Sequence, residues 1–115
     1  MVTPATGAVV LVPFPFSGLS QTKLRPALVL ADAGRGDWIL CQITSNAYGD
    51  ARAIQLADDS FETGSLRVVS YARPGKLFTA SSSLLVAELA KLKAAPFSQI
   101  IDAVVDLLKA GVGTP

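Results

Sequence analysis

A small antiparallel β-barrel of SH3-like type, mainly β with one C-terminal helix packed on it, is the fold class this sequence predicts. Three observations carry that expectation. Short apolar stretches recur as far as about residue 93, separated by glycine, proline and small polar residues that form turns. The last apolar stretch changes its period from that of a strand to that of a helix. A length of 115 residues suffices for one hydrophobic core and not for two, so residues 1–115 read as a single domain without repeat or linker.

In order, Gly7 to Val12 reads as a buried strand, and Pro13-Phe14-Pro15-Phe16 is expected to stop it, because alternate prolines cannot join a central ladder. Ser17 to Thr22 reads as a loop. Lys23-Leu24-Arg25 then leads into a second strand, Pro26 to Ala31. Pro26 disfavours helical geometry at Arg25, which is therefore expected to be extended at the strand's entrance. Asp32 to Asp37 has hairpin composition, and Trp38 to Ile43 returns as the third strand. Asn46 to Ala51 is a loop, Arg52 to Leu56 a short strand, and Asp58 to Gly64 a polar connection.

Leu66 to Tyr71 alternates as a strand with one wetter face, Arg73 to Lys76 is a turn by composition, and Leu77 to Thr79 a short strand. The serines at 81–83 can cap a helical turn at Leu84-Leu85. For Val86 to Lys93 the spacing of Leu85, Leu89 and Leu92 favours helix over strand. In the final helix Pro96 suits the first position, with Phe97, Ile100, Ile101, Val104, Val105 and Leu108 on the apolar face. Asp102, Asp106 and Lys109 take the wet face, and Gly111 ends the helix.

Composition narrows the chemistry. Half the residues are hydrophobic and 17% are charged, which opposes disorder. No apolar run approaches the roughly 20 residues that cross a bilayer, so no membrane is expected. Met1 to Pro4 lacks the basic start of a signal peptide, and the single Cys41 fits a reducing cytoplasm. Cys41 reads as a small core residue. The absence of histidine removes Ser-His and Cys-His nucleophilic systems and, with one cysteine, leaves a zinc site to carboxylates alone, which is not expected. No metal and no cofactor are expected. Asp58, Asp59 and Glu62 read as a solvated loop, and with a net charge of +1 any polyanion must bind a local patch.

Two strand ends stand out: Arg25 before one apolar strand, and Thr44-Ser45-Asn46 after the next. Arg25 reads either as an ordinary flanking charge or as a guanidinium held at the rim of a rigid sheet. The strings Gly7-x-Val9-Val10-Leu11-Val12-x-Phe14-x-Phe16, Lys23-Leu24-Arg25-Pro26-Ala27-Leu28-Val29-Leu30 and Cys41-Gln42-Ile43-Thr44-Ser45 resemble the MazF/PemK toxin family. Gly64-Ser65-Leu66 and Arg73-Pro74-Gly75-Lys76-Leu77-Phe78-Thr79 continue the likeness, which spans roughly residues 7 to 108.

The resemblance implies the MazF/PemK/CcdB-like barrel and a homodimeric, growth-inhibiting toxin of a type II toxin–antitoxin pair. It implies metal-independent, sequence-specific cleavage of single-stranded RNA, restraint by a cognate antitoxin, and DNA binding as the toxin–antitoxin complex. Carried over by position, Arg25 and Thr44 are the implied catalytic residues, and Ser45 helps hold the phosphate. RNA brings its own nucleophile, the 2′-hydroxyl, so the missing histidine is no obstacle, and cleavage leaves a 2′,3′-cyclic phosphate and a 5′-hydroxyl.

Arg25 suits the stabilisation of phosphate charge, and for the same reason is a poor base. No residue is assigned as the base: family members often carry an acidic residue or a histidine in the loop before the arginine, and Ser17 to Thr22 has neither. Ser20, Gln21 and Lys23 are candidate base contacts from that region. Tyr71 and Arg73 could stack a base or bind phosphate, and equally read as a half-buried tyrosine and a turn arginine. Lys23, Arg25, Arg73 and Lys76 are expected to gather into the positive patch that RNA and an acidic antitoxin tail share. Two alternatives of the same fold stay open: a DNA gyrase poison without chemistry, and an RNA-binding adaptor without nuclease activity.

Overall fold

The computed structural model describes residues 3–15 and 22–112. Among these, seven strands precede one long helix: β1 (Ala8–Pro15), β2 (Thr22–Gly34), β3 (Asp37–Thr44), β4 (Ile54–Leu56), β5 (Phe61–Gly64), β6 (Ser70–Ser81), β7 (Ala87–Leu92) and α1 (Ala94–Lys109). They pair antiparallel in the order β4-β6-β3-β2-β1-β7-β5, and the sheet curls into a nearly closed barrel.

The apolar runs of β1, β2 and β3 are continuous because both faces of these strands are covered. Val9, Leu28 and Cys41 enter one core with Ile43, Leu56, Leu92 and the α1 residues Ile100 and Val104. Their neighbours Val10, Val29 and Leu40 enter a second with Ala27, Ala80 and Leu85. Each fully buried leucine, isoleucine or valine among them contributes about 1.5–3 kcal/mol of transfer free energy, so the three central strands form the rigid part of the molecule. Cys41 is buried, as expected of a small core residue.

Several boundaries differ from the sequence reading. β1 runs through Pro13 and Pro15, pairing them with Leu24 and Thr22. The Leu11 carbonyl accepts from the Val86 N–H at 2.8 Å, on the side away from β2. Alternate residues share a side, so Pro13 and Pro15 turn their missing donors the same way, beyond the end of the β1–β7 ladder, where none is required. This extension pairs Val12 with Arg25, so β2 starts at Thr22 and Arg25 lies inside it instead of at its entrance. Along the opposite edge, however, the β2–β3 ladder begins at Ala27↔Gln42, and Arg25 stands just past its end.

Residues 66–69 are not strand; β5 falls within the expected polar connection, after a 3₁₀ turn at Asp58–Ser60. Arg73 to Lys76 is no turn either. β6 passes straight through it, but between the pairs Ile43↔Ala72 and Cys41↔Leu77 it carries extra residues, so this stretch bulges from the ladder with Pro74 buried. The serine cap is present: the Ser83 N–H donates to Ser81 Oγ at 3.3 Å at the start of a 3₁₀ turn, Ser82–Leu84.

Residues 87–92 form β7, not helix, because Leu85 and Leu92 enter different cores and thus share no face. α1 starts at Ala94, which places Pro96 third in the first turn, where its missing N–H still costs nothing. Its buried stripe is Ile100 and Val104, flanked by Phe97 and Ile101, while Val105 and Leu108 are exposed.

Candidate active site

β6, β3 and β2 lie side by side, and their ends converge on one polar cavity of about 300 Å³. Arg25 comes from β2, Gln42 and Thr44 from β3, Arg73 from the β6 bulge, and Ser45, Asn46 and Tyr48 from the turn after β3. Two guanidinium groups, three neutral hydroxyls and two amides line it, with no carboxylate. Such a set accepts an anion and surrounds it with neutral donors.

Each wall has a local cause. Gln42 and Thr44 are two apart on a strand and share a face. The Thr44 hydroxyl closes a turn on itself: it accepts from the Asn46 N–H at 3.2 Å and donates to the Asn46 carbonyl at 3.1 Å. Asn46 Oδ1 accepts from the Tyr48 N–H at 3.0 Å, and the Asp50 N–H donates to the Ala47 carbonyl at 2.9 Å. Tyr48 and Gly49, the central residues of that last turn, both have positive φ, 48° and 75°, as in a type I′ turn.

Asp50 then ties the turn to the β6 bulge, accepting from Arg73 Nε at 2.8 Å. That bond, and next the one from the Arg52 N–H, hold the Asp50 carboxyl below the usual carboxylate range. Nε faces Asp50, which leaves the terminal amino groups of Arg73 to an anion in the cavity. Beneath the floor, Cys41 Sγ donates to the Arg73 carbonyl at 3.1 Å, and burial pushes the thiol up to about 12. Cys41 is thus a protonated strut under the bulge and no nucleophile.

Of the residues singled out in the sequence, Arg25, Thr44, Ser45 and Arg73 line the cavity. Tyr71 pairs with Thr44 and Gln55 but does not border it. Lys23 and Lys76 are exposed and lie outside it, so the positive cluster of the cavity is Arg25 with Arg73 alone. Ser20 and Gln21 lie outside the described residues. Asn46 belonged to the strand end that stood out but was given no role, and Gln42 and Tyr48 were missed as site residues. Period-two alternation with Thr44 could have found Gln42, and the Tyr48-Gly49 dipeptide marks a turn, but nothing local aims that turn at Arg25.

A second cavity, of about 440 Å³, is lined by Leu56, Asp58, Asp59, Phe61, Arg67 and Val68 among others, and collects none of these residues. Among the described residues no group of three or more carboxylate or cysteine side chains could hold a metal.

A curved antiparallel barrel thus carries an arginine and a threonine from adjacent strands in one polar cavity. Residues 5–108 match the family model described as PemK-like, MazF-like toxin of type II toxin–antitoxin system, and the chain belongs to that family. Solved structures share the fold. A MazF from a MazE–MazF crystal structure of Deinococcus radiodurans is 24% identical, with 94% of this chain and 97% of that one covered and a TM-score of 0.73. An endoribonuclease in complex with its cognate antitoxin from a mycobacterial species is 15% identical, with 100% and 98% covered and a TM-score of 0.67. The Mycobacterium tuberculosis toxin MazF-mt6 is 15% identical, with 89% and 96% covered and a TM-score of 0.69. No curated protein sequence matches the chain.

Proposed function

We propose that this chain is a metal-independent endoribonuclease that cuts single-stranded RNA at particular sequences through attack of the 2′-hydroxyl on the adjacent phosphate. The observation that carries the reading is the meeting of Arg25, Thr44 and Arg73 in one cavity that contains no carboxylate. Arg25 and Arg73 bind the scissile phosphate, and Arg25 takes the charge that grows on its non-bridging oxygens. Thr44 and Ser45 supply neutral donors from the other side. Orientation of the ribose for in-line attack is worth roughly 7–11 kcal/mol, and a placed donor roughly 3–4 more. The cyclic phosphate and the 5′-hydroxyl leave as products.

The cognate antitoxin of the mycobacterial neighbour supports a protein partner here as well: an acidic, extended segment that covers the two arginines and competes with RNA. Assembly as a homodimer in the cytoplasm completes the reading. No helix among the described residues is long and apolar enough to cross a membrane.

Incubation with long single-stranded RNA in EDTA tests this. Discrete fragments ending in 2′,3′-cyclic phosphate are expected, and Arg25→Ala is expected to lower kcat at least a hundredfold with its thermal transition unchanged. Intact RNA, or undiminished cutting by Arg25→Ala, refutes the mechanism; stalled gyrase beside intact RNA points to the poison.

A further inference from the structure

Tyr48 is 86% exposed, a large aromatic ring standing in water at the mouth of the cavity that holds both arginines. Its backbone is in the left-handed region, φ 48°, where side chains other than those of glycine, asparagine and aspartate are uncommon. Neither feature helps the fold. The backbone of the residue is nevertheless held: Asn46 Oδ1 fixes its N–H, the Ala47–Asp50 bond closes the turn around it, and Asp50 anchors that turn to Arg73.

The other tyrosine, Tyr71, is half-buried in β6 between β3 and β4, and Phe14 and Phe78 pack edge to face with centroids 5.2 Å apart. Among the described residues, Tyr48 therefore offers the open aromatic face of the cavity. Among the ligands two arginines would admit, a nucleic acid carries a flat ring one sugar away from each phosphate.

We propose that Tyr48 is a positioning residue for RNA, a platform on which a base beside the scissile phosphate stacks while Arg25 and Arg73 hold that phosphate. This rests on the nuclease reading and deepens it. Stacking fixes one base plane relative to the phosphate and hence turns the intervening ribose toward in-line geometry. Every base has a face to stack, so the platform sets affinity and register without choosing among sequences. The rigid turn matters because its backbone is already fixed, so that only the side-chain torsions of Tyr48 lose freedom on binding.

The test is fluorescence anisotropy with a short labelled RNA pool of mixed sequence, its 2′-hydroxyls methylated so that it cannot be cut, alongside cleavage kinetics on unmodified RNA. Tyr48→Asn removes the ring and suits a positive φ, so its melting temperature should equal or exceed that of the wild type. Its affinity for the pool is expected to fall about 10- to 100-fold, with KM rising in parallel. Tyr48→Phe and Tyr48→Trp are expected to bind within about threefold of wild type, whereas Tyr48→Leu should behave as Tyr48→Asn. Unchanged pool affinity in Tyr48→Asn overturns the platform while wild-type cleavage leaves the nuclease standing. Loss confined to binding of an acidic antitoxin peptide overturns it in favour of a protein-docking role. A wild-type protein that neither binds nor cuts RNA removes the nuclease and the platform together.

Discussion

Thr44 is where chemistry and fold compete for one hydroxyl. It holds the Ser45–Asn46 turn through two bonds, yet in the proposed mechanism it must also reach the phosphate. A hydroxyl has one proton and two lone pairs, so it can keep the bond from the Asn46 N–H and rotate its proton away from the exposed Asn46 carbonyl. Thr44→Val therefore removes a turn and a donor at once: kcat should fall about 10²–10³-fold, and stability by about 1 kcal/mol. Thr44→Ser keeps both functions and should remain within a few-fold of wild type in single-turnover kinetics. Cys41 makes the opposite case, a reactive group silenced by its surroundings. Burial raises its pKa from 9.0 to about 12, so up to about pH 8 both folded and unfolded thiols keep their protons. Above that only the unfolded chain ionises, and stability declines until the pH reaches the folded value. Urea midpoints should be level between about pH 7 and pH 8 and then fall, with native protein unreactive to iodoacetamide at pH 8.

The seven strands differ in how openly the sequence declares them. β1, β2 and β3 are legible because each is a continuous apolar run bounded by turn residues, and Arg25 and Thr44 were found as markers at their ends. β5 was illegible. Phe61 is its one buried side chain, and Glu62, Thr63 and Gly64 are exposed, so local composition reads as loop. What makes it a strand is β7, against which Phe61, Thr63 and Gly64 pair. Gly64 is the tightest point of that pairing: its φ is 65°, and an added Cβ would overlap the Leu89 carbonyl oxygen and stand 2.9 Å from Ala90 Cα. Gly64→Ala should destabilise the protein by about 2–3 kcal/mol or more, seen as a lowered thermal midpoint, since strain and clash add at backbone that cannot swing aside. The bulge at Arg73–Lys76 was half legible. Its proline and glycine announce a break in the ladder, but only the β3 register shows that the chain continues in the same direction afterwards.

Over the whole molecule, burial of the apolar side chains is incomplete. An apolar cleft of about 420 Å³, lined by Val12, Pro13, Phe14, Phe78, Ala80 and Leu84, opens beside the second core, and Leu84 and Val86 are about half exposed (48% and 53%). Half of the residues are hydrophobic, and a domain of this size lacks the interior to hide them all. A second copy of the chain covering such surface accords with the homodimer. Sedimentation at micromolar concentration should give twice the 11.9 kDa chain mass, and replacing Leu84 and Val86 together by lysine should shift the boundary to the monomer. A wild-type monomer at that concentration rules the dimer out. Composition implies such a surface in amount but not in place, because neither Leu84 nor Val86 differs in kind from the leucines that the barrel buries.

The outer edge of β1 is covered by β7, with Ala8 opposite Lys91. On the ribosome that arrangement sets an order of events. The β1–β2–β3 meander can zip as it emerges, yet the inner part of β1 keeps a bare edge for the time needed to make some eighty further residues, about 4–16 s at ordinary elongation rates. An apolar strand left open that long invites pairing with neighbouring nascent chains. Pro13 and Pro15 already blunt its outer half, and so confine the exposure during translation to Ala8–Leu11, the segment that β7 finally claims.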